Sequence, residues 1–132
     1  MNNGKLRKRW SEHRPAEYDK ATGVARFGIE PVTRNTNDGK EAPGFSYYEV
    51  QVNGSSNYGS IKSQLIESGF NAKDEVALLM NAVSAILTEA AAATNWTAFK
   101  NALVSNEDIA KFNGFQEFRE VCSQVAHKIV GK

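Results

Sequence analysis

One cysteine, three prolines and two histidines are spread through 132 residues. A single cysteine forms no internal disulfide, which fits a reducing compartment and excludes a disulfide scaffold. His13 and His127 stand far apart, Cys122 lies five residues before His127, and no carboxylate cluster has metal-ligand spacing. No run approaches the roughly 18 apolar residues that cross a bilayer, so no membrane contact is expected. The basic N-terminus MNNGKLRKRWSEHRP has no apolar segment behind it, which argues against a secretory signal. A net charge of +1 provides no global field to attract nucleic acid.

What charge there is sits unevenly. Residues 1–14 hold Lys5, Arg7, Lys8, Arg9 and Arg14 against Glu12, a local +4, so the rest of the chain carries −3. Residues 1–15 read as a flexible basic arm and 16–132 as one α+β domain. Within the arm, Lys5, Arg7, Lys8, Arg9, Trp10 and Arg14 are the candidate nucleic-acid contacts: cations for phosphate and an indole for stacking on a base. A solvated terminus is the competing reading, and no helix-turn-helix, zinc-finger or RNP signature accompanies the cations.

Behind the arm, Asp19 to Gly23 supply turn chemistry. VARFGIE then alternates, with Ala25, Phe27 and Ile29 on one side and Arg26 and Glu30 on the other. Pro31 ends that strand or marks it as an edge. Thr33 to Gly44 read as a loop or wide hairpin connection. FSYYEVQV, residues 45–52, is the clearest strand, with Tyr48, Val50 and Val52 on one face and Phe45 and Tyr47 on the other. Phe27, Phe45 and Tyr47 are the candidate protein-interface residues, because an aromatic on the uncovered face of a small sheet needs a partner.

Beyond Gly54 the apolar period lengthens to about 3.6. Helices are expected near 58–68, 72–93, 95–104 and 106–130. Gly69 is expected to end the first with positive φ, Asn71 to cap the second, and Ser105 to cap the fourth with Asp108. Val76, Leu79, Met80, Val83, Ile86, Leu87 and Ala90 make a wide apolar stripe on the second helix. Gly114 is a candidate break in the fourth. The expected fold is α+β: two or three antiparallel strands in the N-terminal half, packed against three or four helices in the C-terminal half.

Gly54-Ser-Ser-Asn-Tyr-Gly59 has the glycine spacing of a phosphate-binding loop, but Lys62 stands two positions late. On a helix that swings the side chain by about 200°. Gly54 is better read as a strand end, with Ser55, Ser56 or Asn57 capping the helix. Cys122 lies on an apolar stripe between Phe118 and Val125, where a thiol acts as a small hydrophobe. No catalytic, cofactor-binding or metal-binding residue is therefore expected, and the chain is read as non-enzymatic.

Two stretches, YYEVQVNGSSNYGSIKSQLIESGFNAKDEVALLMNAV and FNGFQEFREVCSQVAHKIVG, together with YDKATGVARFGIEPV, resemble small phage- and prophage-encoded proteins of gut bacteria. The shared pattern is a Tyr-rich strand before a Tyr-Gly-x-Ile helix start, then a terminal helix with aromatic-Gln-x-aromatic-Arg spacing. Residues 88–105 depart from it, being longer and richer in alanine. The resemblance implies a virion-associated, tail-region or assembly role through protein partners or self-association, in the host cytoplasm or the virion. It carries over no enzymatic activity and gives no site residues.

Overall fold

The computed structural model describes residues 1–53 and 57–131. Its elements run β1 (Arg9–Ser11), β2 (Tyr18–Asp19), β3 (Val24–Asn35), β4 (Glu41–Gln51), α1 (Tyr58–Gly69), α2 (Ala72–Ala92), α3 (Trp96–Ser105) and α4 (Glu107–Val130). The architecture is α+β, as the change of period implies. The strands form one antiparallel sheet in the order β1-β4-β3-β2, so the sheet has four strands where two or three were expected. β1 and β2 are three and two residues long, too short to show an alternation.

The residues gather into two compact units. One joins Leu6–Ser68 with Cys122–Lys132, and the other joins Met1–Lys5 with Gly69–Val121. This division cuts across both the 1–15 arm and the 16–132 domain read from the sequence. Within the basic segment Arg9–Ser11 pair with β4, and main-chain hydrogen bonds leave no trace in hydrophobic period.

In the sheet unit, β3 and β4 form one long hairpin that stays in register out to Asn35 and Glu41. Much of the span read as a loop is therefore strand, and residues 36–40 make the turn. There the Thr36 amide donates to the Lys40 carbonyl at 2.8 Å and the Gly39 amide to the Thr36 carbonyl at 3.0 Å. Pro31 interrupts nothing, because it pairs opposite Phe45 on a stretch where β2 no longer flanks β3.

A bulge lies between Phe27 and Glu30, with Gly28 at φ +63°. The extra residue turns the alternation over. Glu30 therefore shares the face of Phe27 and Tyr48, contrary to the simple period-2 reading, and the Ser46 hydroxyl reaches its carboxylate at 3.4 Å. Ala25, Phe27, Tyr48, Val50 and Val52 are buried in this unit with Ile61, Leu65 and Ile66 of α1 and Cys122 and Ala126 of α4. Asn57 caps α1, its side chain accepting from the Ser60 amide at 2.9 Å. The alternative caps Ser55 and Ser56, and the strand end at Gly54, lie outside the described residues. The Tyr58 and Ser123 hydroxyls are 2.5 Å apart, and Tyr58 stacks on His127 with ring centroids at 4.1 Å.

In the helical unit, Asn71 and Asp74 form a reciprocal capping box at the start of α2. Asn95 caps α3, accepting from the Ala98 amide at 2.8 Å. Asn106, not Ser105, caps α4, accepting from the Ile109 amide at 3.1 Å. Ser105 is still helical, and its hydroxyl turns back to the carbonyls of Asn101 and Ala102. Phe70 packs edge-on against Phe115, centroids 4.7 Å apart, and lies 5.6 Å from Phe118.

Two glycines serve close approach and not chain reversal. Gly69 does not take positive φ, but a β-carbon there would sit 2.7 Å from the Asn3 carbonyl oxygen and 3.2 Å from the Phe118 ring. Gly114 does not break α4, which runs on to Val130. Its bare backbone admits Asn2, whose amide donates to the Gly114 carbonyl at 3.0 Å.

Candidate interaction surface

The helical unit buries few apolar side chains: Phe70, Ala82, Ala85, Phe115 and Phe118. It leaves more large ones in the open. Val76, Leu79, Met80, Val83, Ile86 and Leu87 of α2 are exposed, as are Trp96 and Val104 of α3. Met80 is 57% and Leu87 66% accessible. The apolar stripe of α2, which the periodicity presents as a core face, is thus its outward face.

The reason lies in the opposite row. Leu78, Ala82 and Ala85 fall at i, i+4 and i+7; Leu78 is half-buried and both alanines are buried. Small side chains let a helix backbone approach its neighbours closely, so the alanine row is turned inward and the bulky row outward. A sequence signal existed, since Ala82 and Ala85 share a face with Leu78, apart from the bulkier row. Hydrophobicity outweighed it, because large residues dominate any apolar count.

By length and composition α2 is also long and apolar enough to cross a membrane, although it holds no unbroken run of about 18 apolar residues. Its 21 residues include an 18-residue window of mean hydropathy 1.4, long and apolar enough by those measures alone. The charged residues stand at its ends (Lys73, Asp74, Glu75 and Glu89). Asn81, Ser84 and Thr88 interrupt the apolar run without bringing its average below that value.

The aromatic residues singled out for an interface are placed otherwise. Phe27 is 5% and Tyr47 8% accessible, and Phe45 is half-buried. Phe27 packs on Tyr48 with centroids 5.6 Å apart. Tyr47 lies in register with Arg9 of β1, and Phe45 with Ser11. β1, which was not expected, thus flanks Tyr47 and Phe45, while Phe27 lies opposite Tyr48 within the expected strand pair.

The basic segment is similarly engaged. Lys8 pairs with Glu30 at 2.8 Å and Arg9 with Glu49 at 3.6 Å, while Arg26 holds the other oxygen of Glu49 at 2.9 Å. Glu30 is held below the usual carboxylate range by its hydrogen bond from Lys8 and then by the lysine charge; Lys8 is raised by the same bond and charge. Trp10 is half-buried. Its ring lies so close to Gly44 that a β-carbon there would overlap it, and the Arg34 guanidinium lies 4.4 Å from the ring centroid. Lys5 donates its amide to the Gly69 carbonyl at 3.0 Å. Lys5, Arg7 and Arg14 keep exposed side chains; Lys5 belongs to the helical unit, and Arg7 and Arg14 to the sheet unit.

Two hollows occur in the helical unit. One, of about 460 Å³, is lined by Phe70, Leu78, Asp74, Asp108, Lys5 and Lys111, among others. Asp74 accepts from the Asn71 amide at 3.2 Å in the capping box, and Lys111 pairs with Glu107 at 3.5 Å. The second, of about 390 Å³, lies between Val76 and Leu79 of α2 and Phe112 and Phe115 of α4, with Glu75 and Arg119 beside it. It continues the exposed face of α2. Among the described residues no group of three or more His, Cys, Asp and Glu gathers to hold a metal ion. Cys122 is fully buried, and burial pushes its thiol up to about 12. No protein-family model, curated protein or solved structure matches this chain.

Proposed function

We propose that this chain is a non-enzymatic structural or accessory protein that works by protein–protein contact, with the outward face of α2 as the contact surface. One observation carries the reading: six large apolar side chains lie exposed along one side of a single helix. Their accessible area is on the order of 600 Å², the upper end of what ordinary monomers expose and characteristic of an interaction site. The groove against Phe112 and Phe115 widens this surface. The phage or prophage setting, in a virion or the cytoplasm of a bacterial host, rests on the resemblance of the strand and helix motifs alone.

A photo-crosslinking residue in place of Met80, compared with one in place of Thr33 at the far end of β3, tests the reading. Irradiation of the purified chain, alone and in an extract of cells carrying its gene, should join protein to position 80 and little to position 33. Equal yields at both positions, or no protein adduct at position 80, would contradict it.

A further inference from the structure

We infer that the partner of the α2 face is a second copy of this chain, docked antiparallel across a two-fold axis near Asn81. This rests on the proposal that α2 is the contact surface, and it adds the occupant and the geometry.

Symmetry within the helix is the first argument. Counted outward from Asn81, Leu79 and Val83 stand two residues away, Val76 and Ile86 five, and Ala72 and Ala90 nine. Asn81 itself falls about 200° around the helix from Val83, on the far side. An antiparallel copy therefore sets Val76 against Ile86 of the partner subunit and Leu79 against the partner subunit's Val83. A two-fold interface requires this kind of self-matching patch, and opposed helix dipoles favour the antiparallel sense.

Charge is the second. A two-fold contact brings a patch against its own sign, so any charge on it repels its image. Between Glu75 and Glu89 the helix has no ionisable side chain. Glu75 and Glu89 are half-buried, off the exposed row, and Glu89 accepts from the Asn106 side chain at 3.4 Å.

Area is the third. A stable interface buries about 800 Å² per partner, and the six exposed side chains approach that before Ala72, Ala90 and the groove at Phe112 are added. A lipid surface fits less well. Asn81, Ser84 and Thr88 are exposed on the other flank, where a spanning helix would place them in hydrocarbon. A helix lying in the headgroup region draws on lysine and arginine along its rim, and α2 has Lys73 against three acids.

Sedimentation velocity of the full chain from about 1 to about 100 μM tests this, since mass action resolves a dimer over that range. The expected result is a species of twice 14.5 kDa. Val83→Lys, at the centre of the face, should weaken it at least about tenfold, as a buried unpaired charge must; Ser84→Lys, on the other flank, should leave it intact. Leu87→Lys serves in place of Val83→Lys if circular dichroism shows that variant unfolded. Mixed Leu79→Cys and Val83→Cys chains should form a disulfide faster than either alone. A monomer throughout, a dimer indifferent to both lysines, faster pairing within each single-cysteine chain, or flotation of the chain with phosphatidylcholine–phosphatidylglycerol vesicles would overturn the inference. A monomer whose position 80 still crosslinks to another protein overturns only the self-pairing and leaves the contact-surface reading standing.

Discussion

Replacing Gly114 with alanine should change sign according to whether residues 1–5 are present. In a bare helix interior the substitution stabilises by about 1 kcal/mol, because alanine gives up less backbone freedom. Here the new β-carbon would stand 2.8 Å from the Asn2 nitrogen and 3.1 Å from its β-carbon. Such a contact is relieved only by moving the N-terminal segment away. That breaks the bond from the Asn2 amide to Gly114 at 3.0 Å and the bond from the Asn2 side chain to the Lys111 carbonyl at 3.3 Å. At about 1 kcal/mol each, their loss outweighs the propensity gain, leaving the full chain about 1 kcal/mol less stable. The contact of the Met1 amino group with Glu117 at 3.4 Å adds little, since that carboxylate is largely exposed.

Urea unfolding followed by circular dichroism, on four chains, resolves the difference. The parent and its Gly114→Ala variant are compared with the same pair begun at Leu6. In the shortened pair the alanine should stabilise by about 1 kcal/mol, so the two effects differ by about 2 kcal/mol, well beyond the error of a midpoint shift at constant slope. Amide exchange in the full-length variant should show lost protection at Asn2. Stabilisation of equal size in both backgrounds would refute the close-approach account of Gly114.

Two further outcomes follow from titrating groups. Cys122 should resist thiol reagents at pH 8 until the protein unfolds, since burial raises its thiol from an ordinary 9.0 to about 12; fast modification of the native chain would refute this. A thiol with a raised folded pKa stabilises fully below its unfolded value and loses that contribution as pH rises from about 9 towards 12, so Cys122→Ala should flatten the alkaline decline in stability. For Glu30, nuclear magnetic resonance should find the carboxyl titrating below its ordinary range, and Lys8→Met should return it upward. The folded value is the lower one, so the stabilisation is present above the unfolded carboxylate range and fades as pH falls through the folded pKa; salt should reduce it, as both side chains are about half exposed. An unchanged Glu30 titration in Lys8→Met would contradict the pairing.

Helix positions were legible in the sequence because their signals are local. Asn71 with Asp74, the alanine run and the three- and four-residue steps of aromatics each act within one or two turns, and α2, α3 and α4 lie within a residue or two of the expected spans. Strand β4 was legible for the same reason. What failed was non-local. β1 exists because β4 offers it an edge, the bulge at Gly28 reverses a face by one residue, and Gly69 and Gly114 answer to Asn3 and Asn2 from the other end of the chain. The burial of Phe27 and Tyr47 was not legible either, since a period-2 pattern does not show what packs on each face; β1, which flanks Tyr47 and Phe45, has no period of its own.

The candidate surface shows the limit of hydrophobic pattern most directly. Periodicity reports that a helix has an apolar face, but not whether this chain or another covers it. In α2 two faces compete, one bulky and one of small residues, and the small one wins the interior: Ala82 is 3% accessible and Val83, its neighbour, 41%. Burying a valine or leucine fully contributes about 1.5–3 kcal/mol, so leaving six such side chains in water forgoes on the order of 10 kcal/mol, comparable to the whole stability of a small domain. Capping at Asn71 and the alanine-rich composition let α2 form without that contribution. A helix that holds its shape through local signals while offering its largest apolar side chains outward is already in the conformation in which it would bind, so docking there would spend little on ordering the backbone.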